Sequence, residues 1–562
     1  MNVGLPRAWK EMANRRTVKD DAVAGLVLGV ESVPAGLASG LLAGVNPLAG
    51  LYGYLFGTVG GALVTSTPFM VVQATGAMSL VVADTDLASR SDPQRALFTL
   101  SILTGAAMVL AGVLRFGALL RFVPSAVMVG FISAVGVLII LGQLDNFTGY
   151  EAAGGHRLTR TFDLFTHPGR IDWASFVVGV VTILLIVVLQ RTRLGALGMV
   201  VAIGAGSALA AVLNGNESVV LQVRDLATIP NALPSISLPA LGDVLFLLVP
   251  AVSLAFVGLV QGAGVSAGFP NPDGSPPKAS LDFMGQGAGN VLAGLFQGMP
   301  VGGSMSASSL VVLAGARTRL ALLVAGFVMA IVVLAFGDAV GYVAMPALAG
   351  LLIVVGFDAI KPLRIQSVAK TGVLQATVMV ITFTLTMLIP LQFAVLVGVG
   401  LAIVLYVVQE SNNLEMKRIV FEDDGRVRET EPPASVGRSE VIVVQPYGSL
   451  FFASAPVFEA QLPTVDRGTW GSVVVVRLRG VDQLGLSSIE VFRRYSKQLR
   501  AADSTLKVVV ASDRVIEQFR FAGVDADIGS DNVYLGTEWL GETVRRAYEE
   551  GREWVEATQA AG

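Results

Sequence analysis

The sequence predicts a polytopic α-helical membrane domain followed by a water-soluble α/β domain. Three observations predict it. Of 562 residues, 53% are hydrophobic and 14% charged, with 63 glycines, which is not the balance of a soluble chain. Charge is unevenly placed: residues 1–410 hold 21 Lys/Arg and 19 Asp/Glu, whereas residues 411–562 hold 18 and 23. The charge-poor part breaks into apolar runs near the roughly 20 residues that a bilayer-spanning helix needs.

Those runs fall at 22–44, 48–66, 73–83, 96–114, 123–143, 173–190, 195–213, 242–265, 281–297, 302–315, 319–337, 343–357, 372–389 and 391–409, numbered here as spans 1 to 14. An invented or missed span would move every later loop to the wrong side, so the count can be tested against the excess of basic residues in cytoplasmic loops. With the N-terminus inside, 15 of the 21 basic residues lie inside. Fourteen spans and a cytoplasmic C-terminus fit. The segment 1–20 holds Arg7, Lys10, Arg15, Arg16 and Lys19 but is followed by no clear cleavage site, so span 1 is expected to be retained. The absence of cysteine removes disulfides, thiol catalysis and Cys-type zinc sites.

Two spans are too short. At 1.5 Å per residue, 73–83 and 302–315 would cover only about 17 to 21 Å, so each is expected to meet an extended segment partway across. They also echo one another: QATGAMSLVV at 73–82 and VGGSMSASSLVV at 301–312 share Gly-(Ala/Ser)-Met-Ser, and PAGLASG at 34–40 echoes GAGVSAG at 262–268. Spans 1–7 are thus expected to recur as spans 8–14. Seven is odd, so the second copy is inverted, and short Gly-interrupted segments at matching places in two halves point to a midplane binding site. The competing explanation is that small residues simply let helices pack closely.

After Glu410 the composition changes. Residues 411–439 read as a polar linker, 440–555 as an α/β domain and 556–562 as a tail. EVIVVQPYGSLFF reads as two short strands, SVVVVRL and LKVVVAS as buried strands, SSIEVFRRYSKQLRAA as an amphipathic helix and EWLGETVRRAYEEGREW as a closing helix.

The stretch DAVAGLVLGVESVPAGLASGLLAGVNPLAGLYG, the segment QGAGNVLAGLFQGMPVGGSMSASS with the following GARTRL, and VDQLGLSSIE near the C-terminus together resemble the SulP anion transporters, sulfate permease relatives with a cytoplasmic STAS domain. The resemblance covers nearly the whole chain. It implies seven-plus-seven inverted repeats divided into a core domain (spans 1–4 and 8–11) and a gate domain, with an inorganic anion held between spans 3 and 10 and moved by elevator-like motion of core against gate. A half-helix beginning in mid-membrane aims unpaired N–H groups and a partial positive end at that gap. The candidate substrate-binding residues are Ser39, Thr75, Gly76, Ala77, Met78, Ser79, Gly302, Gly303, Ser304, Met305, Ser306 and Ala307.

Departures from the family pattern sharpen the reading. Many members carry an arginine where this chain has Ala307, so a fixed positive charge is missing. Ala35 and Ser39 replace a glutamine and an aromatic residue often found in span 1. In span 8 the carboxylate implicated in cation coupling is replaced by Gln261, and the hydroxyl used by sodium-coupled bicarbonate members by Val265. Glu31 lies inside span 1, where an ionised side chain costs roughly 2.5 to 3.5 kcal/mol and so marks function or a partner. Spans 1 and 8 are repeat-related and expected to be neighbours, so the expectation is that Glu31 takes over the carboxylate role absent at Gln261, binding a proton or cation as the anion loads. The alternative is a glutamate serving helix packing, capping backbone groups freed by Pro34.

Other features carry less. The turn Asp482-Gln483-Leu484-Gly485 has no hydroxyl where small bacterial STAS proteins are phosphorylated; Ser487 and Ser488 follow as first-turn or capping residues. GQGAGNVLAG and LQGAGVSAG lack the strand and acidic residue of a dinucleotide loop. His156 and His167 read as parts of an exposed loop, and no nucleophile, base and oxyanion arrangement can be assembled. No enzymatic activity, cofactor, metal or nucleic-acid partner is expected. The expected partners are a small inorganic anion, the lipid bilayer, H+ or Na+ as candidate co-ion, and a second copy of the chain. The expected location is the cytoplasmic membrane. Uncoupled exchange or channel-like conduction, and an anion sensor signalling through the STAS domain, remain as alternatives, and the anion itself is open among sulfate, bicarbonate, chloride and small dicarboxylates.

Overall fold

In hydrocarbon a backbone polar group without a partner is costly, and a helix satisfies its own groups. Each apolar run accordingly becomes a helix. The computed structural model describes residues 17–117, 124–195, 197–214, 220–226, 230–269, 271, 274–422, 424–539 and 541–561; of the N-terminal segment 1–20, residues 1–16 lie outside them. Spans 1 to 7 are the helices Val18–Leu42, Pro47–Val64, Gly76–Ala83, Pro93–Val113, Ser125–Thr148, Trp173–Leu189 and Leu197–Asn214. Spans 8 to 14 are Val244–Gly268, Ala279–Leu295, Met305–Leu313, Leu320–Gly341, Met345–Ala359, Val373–Leu388 and Leu391–Asn412. Eight helices of the described residues are long and apolar enough to cross a membrane by themselves. Among the described residues, three loops contain α-helices that the hydropathy pattern did not show, Arg157–Thr166, the single turn Val223–Leu226 and Pro362–Thr371, because all three lie outside the apolar runs.

Packing repeats with the sequence. Span 4 packs on span 9 as span 11 does on span 2, span 1 on span 11 as span 8 on span 4, and span 13 on span 5 as span 6 on span 12. Adding or subtracting seven converts each contact into its mate. The contacts also sort spans 1–4 and 8–11 into one group, the core, and spans 5–7, 12 and 13 into another, the gate, which span 14 joins through Gly398, where a Cβ would lie 2.9 Å from Thr382 of span 13 and 3.3 Å from Val127 of span 5. Polar anchors follow the same rule. Asp21, opening span 1, accepts the N–H groups of Arg317 and Thr318 at 2.7 and 2.9 Å and the Thr318 hydroxyl at 2.7 Å. Asp243, opening span 8, pairs with Arg90 at 2.6 Å. The partners lie just after spans 10 and 3, which are themselves repeat mates.

One expectation is corrected here. Spans 1 and 8, expected side by side, are not among one another's principal packing partners; each instead meets both half-helices. Mates related by a pseudo-two-fold axis that runs between the half-helices fall on either side of it.

The chain divides into two compact units, Met1–Ala402 and Ile403–Gly562, so the division falls inside span 14. The second unit holds a six-stranded sheet, β3 Glu415–Phe421, β4 Val427–Thr430, β5 Val441–Tyr447, β6 Val473–Leu478, β7 Thr505–Val510 and β8 Val533–Leu535, in the order β4-β3-β5-β6-β7-β8. β5 to β8 are parallel and β3 pairs antiparallel with β4 and β5. A parallel strand covered on both faces reads as a continuous apolar run, which explains β6: Val474 and Val476 pack with Phe492, Val473 and Val475 with Val544. Phe492 belongs to the helix Leu486–Ala501 and Val544 to Glu542–Ala561. Buried Lys507 of β7 donates to the Tyr534 hydroxyl at 2.5 Å and to Glu550 at 3.3 Å, and Tyr534 donates to Glu550 at 2.5 Å, tying the closing helix to β7 and β8.

Two differences from the sequence reading have a physical reason. The charged segment 411–439 contains β3 and β4, an edge hairpin whose charges occupy the solvent side, as edge strands often do. GSLFF, read as a second strand, is a turn held by Ser454, whose hydroxyl donates to the Ser449 carbonyl at 2.6 Å and accepts the Phe451 N–H at 3.0 Å.

Candidate functional site

Both short spans are broken in the same way. Residues Val72–Gln73 form β1, Gly302–Gly303 form β2, and the two pair antiparallel with Val72 opposite Gly303 and Gln73 opposite Gly302. Each strand gives way to a short helix, eight residues in span 3 and nine in span 10. The sequence echo at 76–79 and 303–306 is displaced by two residues from this structural equivalence, in which Thr75 and Ser304 occupy the same capping position. Thr75 Oγ1 accepts the Met78 N–H and Ser304 Oγ the Ala307 N–H, each at 3.4 Å. The first N–H groups of a helix have no acceptor within it, which leaves those of Gly76 and Ala77, and of Met305 and Ser306, for a ligand, with the positive ends of two peptide-dipole arrays behind them.

The crossing is braced from all sides. Asn290 of span 9 donates to the Val301 carbonyl at 2.6 Å and accepts its N–H at 2.9 Å, and Gln286 accepts the Gly303 N–H at 2.9 Å. Ser308 accepts the N–H of Val71, whose carbonyl accepts from Ser304, at 3.0 and 2.9 Å. Gln73 donates to Ser32 of span 1 at 2.8 Å. Span 8 lies against the crossing through its glycines: a Cβ at Gly303 would lie 2.7 Å from Gly262 Cα, and one at Gly302 would lie 3.1 Å from Gly258 Cα and 2.7 Å from Met78 Sδ of span 3. Close approach of protein to protein thus accounts for both glycines. The Thr75 hydroxyl donates to Gln261 Oε1 at 2.7 Å, which joins span 8 to the cap of half-helix 3.

The sequence model of the Sulfate permease family matches residues 18–382, and that of the STAS domain matches 432–547. The chain belongs to the sulfate permease family. It is 24% identical over 550 residues to a probable sulfate transporter of Mycobacterium tuberculosis, covering 95% of this chain and 96% of that one. It is 26% identical over 454 residues to the bicarbonate transporter BicA of Picosynechococcus, covering 78% and 80%. The fold is similar to that of murine Slc26a9 in its inward-facing state, with TM-score 0.83, 18% identity and coverage of 97% and 94%. The BicA transmembrane domain superposes with TM-score 0.60 and 23% identity, covering 69% of this chain and 98% of that one.

Within this sulfate permease fold the remaining candidates fall in different places. Ser306 is exposed and lies 3.3 Å from Ser304 Oγ. Met305 is 43% exposed, with its methyl end over Gly264 and Gly268 of span 8. Ser79 is fully buried, with no hydrogen-bond partner for its hydroxyl. Ala307 sits in a buried apolar cluster with Ala24, Leu28, Phe69 and Val311. Ser39 donates to the Ala35 carbonyl at 2.9 Å and shares a hydrogen bond of 3.1 Å with the Tyr54 hydroxyl. Glu31 is partly exposed in the middle of span 1, which runs on as a helix through Pro34. Among the described residues it makes no hydrogen bond or ion pair.

Sequence reasoning missed the bracing residues. Asp282, Gln286 and Asn290 stand at i, i+4 and i+8 of span 9, a polar stripe on one face of an apolar helix. Asp282 is fully used, accepting from the N–H groups of Ser66 and Thr67 and from the hydroxyls of Ser66, Thr67 and Ser266. That spacing was the available signal.

Proposed function

We propose that this anion transporter of the sulfate permease family is a secondary active carrier of an inorganic anion, sulfate or bicarbonate-like, held between the half-helices of spans 3 and 10. The observation that carries the reading is the β1–β2 crossing, which leaves two sets of first-turn N–H groups and no basic side chain at Ala307. Spans 1–4 and 8–11 form the moving body and spans 5–7 and 12–14 the frame it moves against. Glu31 supplies the coupling site, binding a proton or cation as the anion loads. The neutral Gln261, already engaged with Thr75, favours a second reading, exchange without a co-ion. The basic-residue bias supports cytoplasmic termini, and in this reading the STAS domain is the regulatory module of a homodimer.

Uptake of radiolabelled sulfate and bicarbonate into proteoliposomes, at two pH values and with or without sodium, tests the reading. Accumulation under an imposed gradient supports a carrier, whereas saturable binding without accumulation identifies a sensor. Glu31→Gln is expected to abolish the dependence on pH or sodium. If rate and pH dependence both survive it, Glu31 is not the coupling group.

A further inference from the structure

The half-helix of span 3 ends at Ala83, and its C-cap, Asp84, is badly suited to capping. A carboxylate at a helix C-terminus faces the partial negative charge of the last carbonyls, whereas at an N-terminus it is favourable. Both its oxygens are engaged elsewhere. Oδ1 pairs with Arg157 Nη1 at 3.0 Å, and Oδ2 accepts the N–H of Leu391 at 3.3 Å. Asp84 belongs to the core group, while Arg157 opens the helix after span 5 and Leu391 opens span 14, both on the gate side. The carboxylate therefore fastens core to gate on the membrane face opposite the N-terminus. Its own helix gains nothing from it; span 14, whose first N–H it accepts, does.

Apolar contacts continue beneath the pair. A Cβ on Gly142 of span 5 would lie 3.6 Å from Arg157 Cδ and 3.7 Å from Leu42 Cδ1 of span 1, and one on Gly76 would lie 2.4 Å from Ile139 Cδ1 of span 5. Leu42 and Ile139 are both buried. The N-terminus of half-helix 3 is thus covered from this face by Leu42 and Ile139, with the Asp84–Arg157 pair on top. Among the described residues the repeat mate shows no such device: the half-helix of span 10 has Ala314 at its C-cap, and a methyl group offers no acceptor.

We infer that Asp84 is a one-sided latch, which must release Arg157 and the Leu391 N–H before the core can move and open the anion site to the face opposite the N-terminus. The inference rests on the moving-core reading proposed above. Because the second repeat offers alanine at the matching place, the latch favours closure on this face over closure on the other.

The chain has no cysteine, so a single Leu42→Cys reporter can be labelled with a membrane-impermeant maleimide added to sealed vesicles from the latch face. Asp84→Asn and Arg157→Gln, each cutting the same tie from one end, are expected to speed labelling roughly fivefold or more. The double variant is expected to do no more than either alone. Arg90→Gln, which loses a pair with Asp243 inside the core group on the same face, is expected to leave labelling at the parental rate. Parental rates in both Asp84→Asn and Arg157→Gln, or equal acceleration by Arg90→Gln, would overturn the latch. Labelling needs no anion, and uptake is measured on the same vesicles. Unchanged labelling with intact uptake removes the latch alone, whereas a parent chain without uptake removes the transport reading and leaves labelling to decide the latch.

Discussion

Thr75 does two jobs with one hydroxyl, accepting the Met78 N–H and donating to Gln261. Thr75→Val removes the cap and leaves the Gln261 carbonyl without its donor, at a cost of about 1 to 2 kcal/mol. The expected outcome is an apparent anion affinity lower by roughly five- to thirtyfold with the protein still folded, read from the concentration dependence of uptake. Thr75 and Gln261 were both visible in the sequence, Thr75 through the repeated short span and Gln261 through the residue it replaces in relatives. Their contact was not, since they are 186 positions apart. Asn290, Gln286 and Ser308 stayed hidden for a different reason: amides and hydroxyls in an apolar run are common helix-packing residues, and only the fold shows that these reach the crossing strands.

Elements were legible in proportion to their periodicity. All fourteen apolar runs became helices because length and hydropathy leave a lipid-facing segment few alternatives. Strands β3 and β4 were lost in a charge-rich segment, where an edge hairpin and a linker look alike. At the crossing, the glycines yield a ranked prediction. Gly302→Ala would press hardest on the flexible end of Met78, at 2.7 Å, and less on span 8 backbone, at 3.1 Å from Gly258 Cα, whereas Gly303→Ala would press directly on the backbone of span 8, at 2.7 Å from Gly262 Cα. Gly303→Ala is therefore expected to lower thermal stability and uptake markedly and Gly302→Ala only slightly, as a melting series in detergent would show. The closing helix of the soluble unit is expected to respond to acid. Hydrogen bonds from Tyr534 and then Lys507 hold the Glu550 carboxyl below its ordinary pKa. Its contribution is therefore complete above the unfolded value of about 4.3 and is lost as pH falls through the lower folded value. Amide exchange across Glu542–Ala561 should accelerate in that window, and Glu550→Gln should exchange faster at neutral pH and lose the acid step.

At the scale of the whole molecule, the repeat dictates how the parts depend on one another. Each half contributes one strand and one half-helix to the crossing, and the core group draws four spans from either half. A chain severed in the connection between spans 7 and 8 and expressed as two pieces together should recover uptake. Either piece alone should bind no anion, as equilibrium binding to membranes from the three expressions would reveal. The resemblance and the echo of short spans made the doubling legible from sequence. The side on which each mate sits was not, because internal symmetry fixes relationships between copies without saying where their axis runs. The pairing of Val72 with Gly303 also sets an order of events during synthesis: the first strand must wait in the bilayer, its edge unmet, until more than two hundred further residues have emerged. Contacts that distant in the chain close late, so the pocket is the last part to mature, and a ribosome stalled anywhere before span 10 leaves a membrane protein that is largely helical yet blind to its solute.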